Sequence, residues 1–111
     1  MDIRQLKVAV SEQYSDDLKN VFQYGLETFG YKGALLFYDN IEKLVANLAF
    51  EYFMYPECRF LITKSKIYRN IILESYLIIY RITDFRIEVL RVFHSSVCTS
   101  KRIGSVRRIT I

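Results

Sequence analysis

A chain of 111 residues supports one hydrophobic core, so a single domain spanning 1–111 is expected. Its 51% hydrophobic and 25% charged residues are an ordinary globular mixture, which excludes disordered and fibrous classes. The net charge of +4 divides unevenly, with five Lys/Arg against eight Asp/Glu in residues 1–56 and eleven against four in residues 57–111, so the second half favours an acidic partner: nucleic acid, an acidic protein segment or an anionic surface.

The opening MDIRQLKVAV has no long apolar stretch of the kind found in a leader. The longest aliphatic and aromatic runs are about five residues, against the ~20 that a membrane span requires. A cytoplasmic protein with reduced cysteines and no membrane contact is expected. Cys58 and Cys98 stand in no CxxC or metal-type spacing, and the single histidine has no cysteine cluster around it. No metal site and no cofactor is therefore expected.

Residues 6–11 (LKVAVS) read as a short strand, with Ser11 as the N-cap of a following helix. From Glu12 to Phe29 the residues Tyr14, Leu18, Val21, Phe22, Leu26 and Phe29 fall at three- and four-residue steps, one stripe of an amphipathic helix. Asp16 and Asp17 suit its early turns, and Gly30 suits its C-terminal cap. A second helix over 32–53 has the stripe Ala34, Phe37, Ile41, Leu44, Val45, Leu48, Ala49 and Tyr52, and Pro56 closes the region. The short connection predicts an antiparallel helix hairpin.

The period then changes. Residues 67–74, 76–83 and 86–93 are rich in Ile, Val, Leu and Tyr and are separated by ES and TD, each short enough for a tight turn. They predict a three-stranded antiparallel meander with the first strand joining its edge. The expected fold is α+β, order β-α-α-β-β-β, with the helix hairpin on one face of a small antiparallel sheet. Residues 95–111 read as a weakly ordered basic tail whose last five residues offer a short edge strand. Nine Tyr and eight Phe with no Trp supply ring area to core and interface alike.

Three arginines stand in the predicted strands. A guanidinium is seldom buried unpaired, so Arg69, Arg81 and Arg91 either pair with Glu57, Glu74, Asp84 or Glu88 across the sheet or share an open face that binds phosphate or carboxylate. Arg91 is expected on one side with Ile87, Val89 and Phe93. His94 ends the last strand, where it either caps the strand or exchanges protons. A metal-independent endoribonuclease needs a base, an acid and cations, which His94 with Arg69, Arg81 and Lys101 would supply. In KRIGSVRR, Lys101, Arg102, Arg107 and Arg108 stand without an acid, either tracking a single-stranded phosphate backbone or solubilising the chain. No Gly-rich phosphate loop, Ser-His-Asp order or paired-carboxylate site is present.

The order of these segments resembles the RelE/ParE superfamily of toxins from bacterial type II toxin–antitoxin modules, over about residues 7 to 103. VAVSEQYSDDLKNVFQYGLETFG is similar to the family's opening strand and first helix. ALLFYDNIEKLVANL before Pro56 is similar to its second helix, and YRNIILESYLIIYRI with IEVLRVFHSS to its paired strands. The wording is closer to the ParE branch, for which the resemblance implies plasmid stabilisation and growth arrest by binding and inhibiting DNA gyrase, without catalysis. The RelE-like alternative is a ribosome-dependent mRNA endoribonuclease. Its middle-strand arginine position is occupied here by Leu77, and HSSVCTS lacks its arginine and tyrosine. Both branches imply a cognate antitoxin and a toxin–antitoxin hetero-oligomer. On this reading Arg69, Arg81, Arg91, Lys101 and Arg102 are target- or phosphate-binding, and His94 is the candidate acid/base.

Overall fold

The computed structural model describes residues 4–111; the first three residues of the N-terminal stretch, read above as lacking a leader, lie outside the described residues. Strand β1 (Lys7–Val10) leads into Ser11, which starts the helical layer. The Ser11 Oγ accepts the Tyr14 N–H at 2.9 Å and donates to the Leu90 carbonyl at 2.6 Å. One hydroxyl thus satisfies an orphan donor of the first turn and ties it to the sheet. The layer, expected as two helices, spans Glu12–Glu51, here called α1, and its two helical segments meet at Gly30, where the backbone leaves helical geometry.

Gly30 has φ 82° and ψ 176°, a region that is essentially glycine-only. Beyond it the chain reverses. A Cβ on Gly25 would lie 3.1 Å from the Ala34 Cβ, and the Phe22 and Tyr38 rings meet edge-on at 5.7 Å. Gly30→Ala is expected to cost about 1–3 kcal/mol. Gly104→Ala, at ordinary helical φ/ψ with open space around it, should be neutral or stabilising by a few tenths. Urea midpoints of the two variants check the contrast, and equal shifts would remove the strain argument.

The sheet holds β2 (Tyr68–Leu73), β3 (Tyr76–Ile82) and β4 (Arg86–His94), in the order β1-β4-β3-β2. Glu74, with φ 53°, turns β2 into β3. β1 runs parallel to β4, while the other pairs are antiparallel. The sheet is therefore mixed, not antiparallel as expected. A parallel neighbour needs a long crossover, and α1 provides it, ending where the Leu6 N–H donates to the Ala49 carbonyl at 3.0 Å.

Two buried clusters lie on opposite faces. Under α1, Tyr14, Leu18, Ile41 and Leu48 pack on Ile71, Ile78, Tyr80, Ile87, Val89 and Val92. On the other face, Cys58, Leu61, Tyr68, Ile79, Leu90 and Phe93 pack with Ile103, Val106 and Ile109. The expected loose tail is thus ordered. It forms a 3₁₀ turn (Ser95–Val97), α2 (Ser100–Gly104) and a second 3₁₀ turn (Ser105–Arg108). Three apolar residues at three-residue spacing anchor it, and its last five residues form no strand. Strict alternation also fails in β4. Ile79 faces Arg91 and Tyr80 faces Val89, leaving Leu90 as the extra residue of a bulge. Ile87 and Val89 therefore face α1 while Phe93 faces the tail.

Candidate functional site

The concave surface lies between the reversal of α1 and the ends of β3 and β4. Tyr76 opens β3 and pairs in register with His94, the last residue of β4. Their rings meet edge-to-face at 5.2 Å. A cleft of about 380 Å³ rises from these two rings, walled by Tyr24, Phe29, Leu36 and Phe37. A second of about 390 Å³ reaches Asp17, Asn20, Val92 and Ser96. Both include Val21, Tyr24, Tyr76 and His94, so they form one groove.

Its lip is apolar and open: Phe29 is 71% and Leu36 66% exposed. Phe29, expected within the buried stripe, instead stands exposed beside the break at Gly30. Burial, and then the neighbouring Tyr24, raises the Tyr76 phenol above its ordinary pKa, so it remains a neutral donor and acceptor at the floor. Tyr24 and Phe29 before Gly30, with Leu36 and Phe37 after it, are the signal the sequence carries for this groove.

The His94 Nδ1 accepts the Ser96 N–H at 3.1 Å and lies 2.7 Å from the Ser96 Oγ. That contact caps the first 3₁₀ turn, and with Nδ1 accepting, the neutral ring carries its proton on Nε2. No lysine or arginine lines the groove among the described residues. The ribonuclease constellation of His94 with Arg69, Arg81 and Lys101 is not assembled there: Arg69 and Arg81 are held by partners elsewhere, and Lys101 stands exposed on α2.

Arg69 lies opposite Tyr80, four positions along β3 from Tyr76. Its guanidinium donates to the carbonyls of Lys66, Phe53 and Tyr55 and stacks on Phe53 at 5.4 Å, fastening the segment after α1 to β2. Arg91 makes two bonds to Asp17, at 2.7 and 2.9 Å, and Asp17 also accepts the Val92 N–H at 2.9 Å. This carboxylate occupies the β4 edge beyond the end of β1. Arg81 donates twice to Glu88 (2.8 and 2.6 Å), once to the Ile109 carbonyl and once to the Tyr68 hydroxyl. Arg86 completes the cluster, its Nε 2.9 Å from the second Glu88 oxygen. Burial alone would raise the Glu88 carboxyl, but bonds from Arg81 and Arg86 outweigh it and hold the group below its usual range.

The expected shared open face of Arg69, Arg81 and Arg91 is therefore corrected. Arg69 lies on the α1 side, Arg81 on the tail side and Arg91 at the β4 edge, each occupied by a partner within the chain. Only Glu88 was among the partners expected for Arg81 and Arg91; Asp17 was not. Lys101 and Arg102 stand exposed on α2, on the face opposite the helical layer, and take no part in the groove.

An α+β domain with a helical layer over one face of a four-stranded mixed sheet, and an aromatic groove between the two layers, is the class the coordinates define. The family model for the ParE toxin of the type II toxin–antitoxin system, parDE, matches residues 8–97, and the chain belongs to that family. A solved structure described as the chromosomal ParDE TA system from P. aeruginosa has a similar fold, with a TM-score of 0.67 at 16% identity, covering 82% of this chain and 97% of that one. No curated protein matches the chain.

Proposed function

We propose that this protein is the toxin of a plasmid-stabilising toxin–antitoxin module, acting in the cytoplasm by binding DNA gyrase and blocking supercoiling. A cognate antitoxin neutralises it by seating an apolar segment in the groove between α1 and the Tyr76–His94 pair. The observation that carries the reading is the family match over residues 8–97, which spans every element that builds the groove. The groove chemistry supports a binder over a catalyst. It offers exposed rings and aliphatic side chains, which suit a helix-in-groove or strand partner, and, among the described residues, no lysine or arginine to hold a phosphorane.

The test is a gyrase supercoiling assay with purified toxin, alone and with its antitoxin. Inhibition at near-stoichiometric toxin, relieved by antitoxin, is expected. Tyr24→Ala with Leu36→Ala should weaken antitoxin capture by about tenfold or more, as truncated interface anchors do. Normal supercoiling together with discrete transcript cuts in primer extension would replace this reading with the ribosome-dependent mRNA endoribonuclease.

A further inference from the structure

The two halves of the charge distribution become two faces of the molecule. Residues 12–51, the helical layer, hold seven acids against three lysines. The opposite face is built by the tail and the loop before β2, and both are basic. Lys101, Arg102, Arg107 and Arg108 are exposed with no acid between residues 95 and 111. Arg59, Lys64 and Lys66 are exposed in the loop. The shared cluster of Leu61, Tyr68, Ile103, Val106 and Ile109 welds the two segments together, and Arg107 stacks over Tyr68 at 5.7 Å. Glu88 on this side is paired with Arg81 and Arg86; Glu57 accepts the Thr63 N–H at 3.2 Å and is outnumbered by the seven cations around it. The cations above them are not neutralised locally.

We infer that this face binds a single-stranded nucleic acid along its phosphates, with Lys101, Arg102, Arg107 and Arg108 as the principal contacts. The tail packs on the sheet face opposite the helical layer and lines neither part of the groove, so the site is separate from it. The buried isoleucines and valine fix the tail backbone in place, so the positions from which its cations extend are set before a ligand arrives, which lowers the entropic cost of binding. Phe60, under the Arg59 guanidinium at 4.9 Å and 42% exposed, offers a ring on which an unpaired base can stack. A duplex conceals its bases from such a ring, and an acidic peptide has none. The acidic helical layer repels the same strand, so binding is confined to one side.

The experiment is fluorescence anisotropy of a labelled mixed-sequence single strand, as DNA and as RNA, beside the duplex and poly-glutamate, over a range of salt. Four phosphate contacts at about 0.7 each give a log–log salt slope near −3 for the single strand. The triple variant Lys101→Gln, Arg102→Gln, Arg108→Gln removes side chains that hold nothing else in the fold. It should weaken binding roughly tenfold or more and flatten the slope by about 2, with unchanged circular dichroism. The control variant Lys19→Gln, Lys32→Gln, Lys43→Gln, in the helical layer, should leave affinity unchanged or raise it. Phe60→Ala should weaken the single strand and leave the duplex unaffected. No binding at low salt, binding indifferent to the triple variant, or poly-glutamate binding without oligonucleotide binding would each overturn the inference. Duplex binding equal to the single strand would overturn the assignment to single strands. The DNA and RNA arms decide which strand is preferred.

Discussion

A Glu88→Ala chain is expected to unfold with about 3 kcal/mol less free energy than the parent, far beyond the effect of an exposed ion pair. The Arg81 and Glu88 side chains are 14% and 9% exposed. Removing the carboxylate leaves the Arg81 guanidinium enclosed with only the Ile109 carbonyl and the Tyr68 hydroxyl to receive it. Arg86 is 37% exposed and turns to water, so it adds little to the loss. The damage should extend to the tail, because Arg81 is the clamp on Ile109 and Arg86 reaches the Ile111 carbonyl at 3.4 Å. Faster amide exchange at Ile103 and Val106 would report it.

The same cluster sets a pH dependence. Since the folded Glu88 carboxyl lies below its ordinary value, its stabilisation is complete above the ordinary glutamate pKa of about 4.3. It is lost as pH falls through the lower folded value. Urea titrations across that window should show a shallower acid-side decline in Glu88→Gln than in the parent. The double variant Arg81→Met, Glu88→Leu should recover much of the loss, because the cost lies in stranding one charge and not in forgoing the pair. An unchanged midpoint for Glu88→Ala would mean that the cluster behaves as a surface pair.

Tyr80 should show the other large effect. It is fully buried under α1, its ring edge-on to Tyr55 at 6.4 Å. Its hydroxyl donates to the Tyr52 carbonyl at 2.7 Å, and the Tyr52 hydroxyl in turn donates to the Arg4 carbonyl at 2.6 Å. Two tyrosines thus satisfy backbone acceptors at the C-terminal end of α1 and before β1, where helical bonding has run out. Tyr80→Ala should cost about 3–5 kcal/mol through the cavity, and Tyr80→Phe about 1 kcal/mol through the lost hydrogen bond. Chemical denaturation of both variants separates ring from hydroxyl. A Phe variant as damaged as the Ala variant would show that the hydrogen-bond chain, and not packing, sets the stability there.

Much of the architecture was legible because it rests on local periodicity. Tyr14, Leu18, Val21, Ala34, Ile41, Val45, Leu48 and Tyr52 were expected in helical stripes and are buried. The three meander strands fall within a residue or two of their expected bounds. What could not be read depends on partners distant in the chain. Arg91 finds Asp17 across 74 positions, and no spacing rule connects them. The bulge at Leu90 breaks the period-two reasoning that put Arg91 on a face with Ile87 and Val89. In the tail, Ile103, Val106 and Ile109 have a helical spacing of their own, but the surrounding cations made the segment read as a solvated end. The strand arginines expected to bind a target are held by partners within the chain, and the free cations lie in the tail that one of them, Arg81, fastens.

The position of β4 has a consequence for how the molecule comes into being. It is the last strand to be synthesised, yet it occupies the interior of the sheet between β1 and β3. β1, made before it, has no strand neighbour until residues 11–85 have been made. Pairings between such remote segments close late and slowly, and the apolar underside of α1 stays uncovered in the meantime. A nascent chain halted before residue 86 owns neither the His94 floor of the groove nor the cationic tail. Both arrive only with β4 and the segment that follows it, so the two surfaces take shape together.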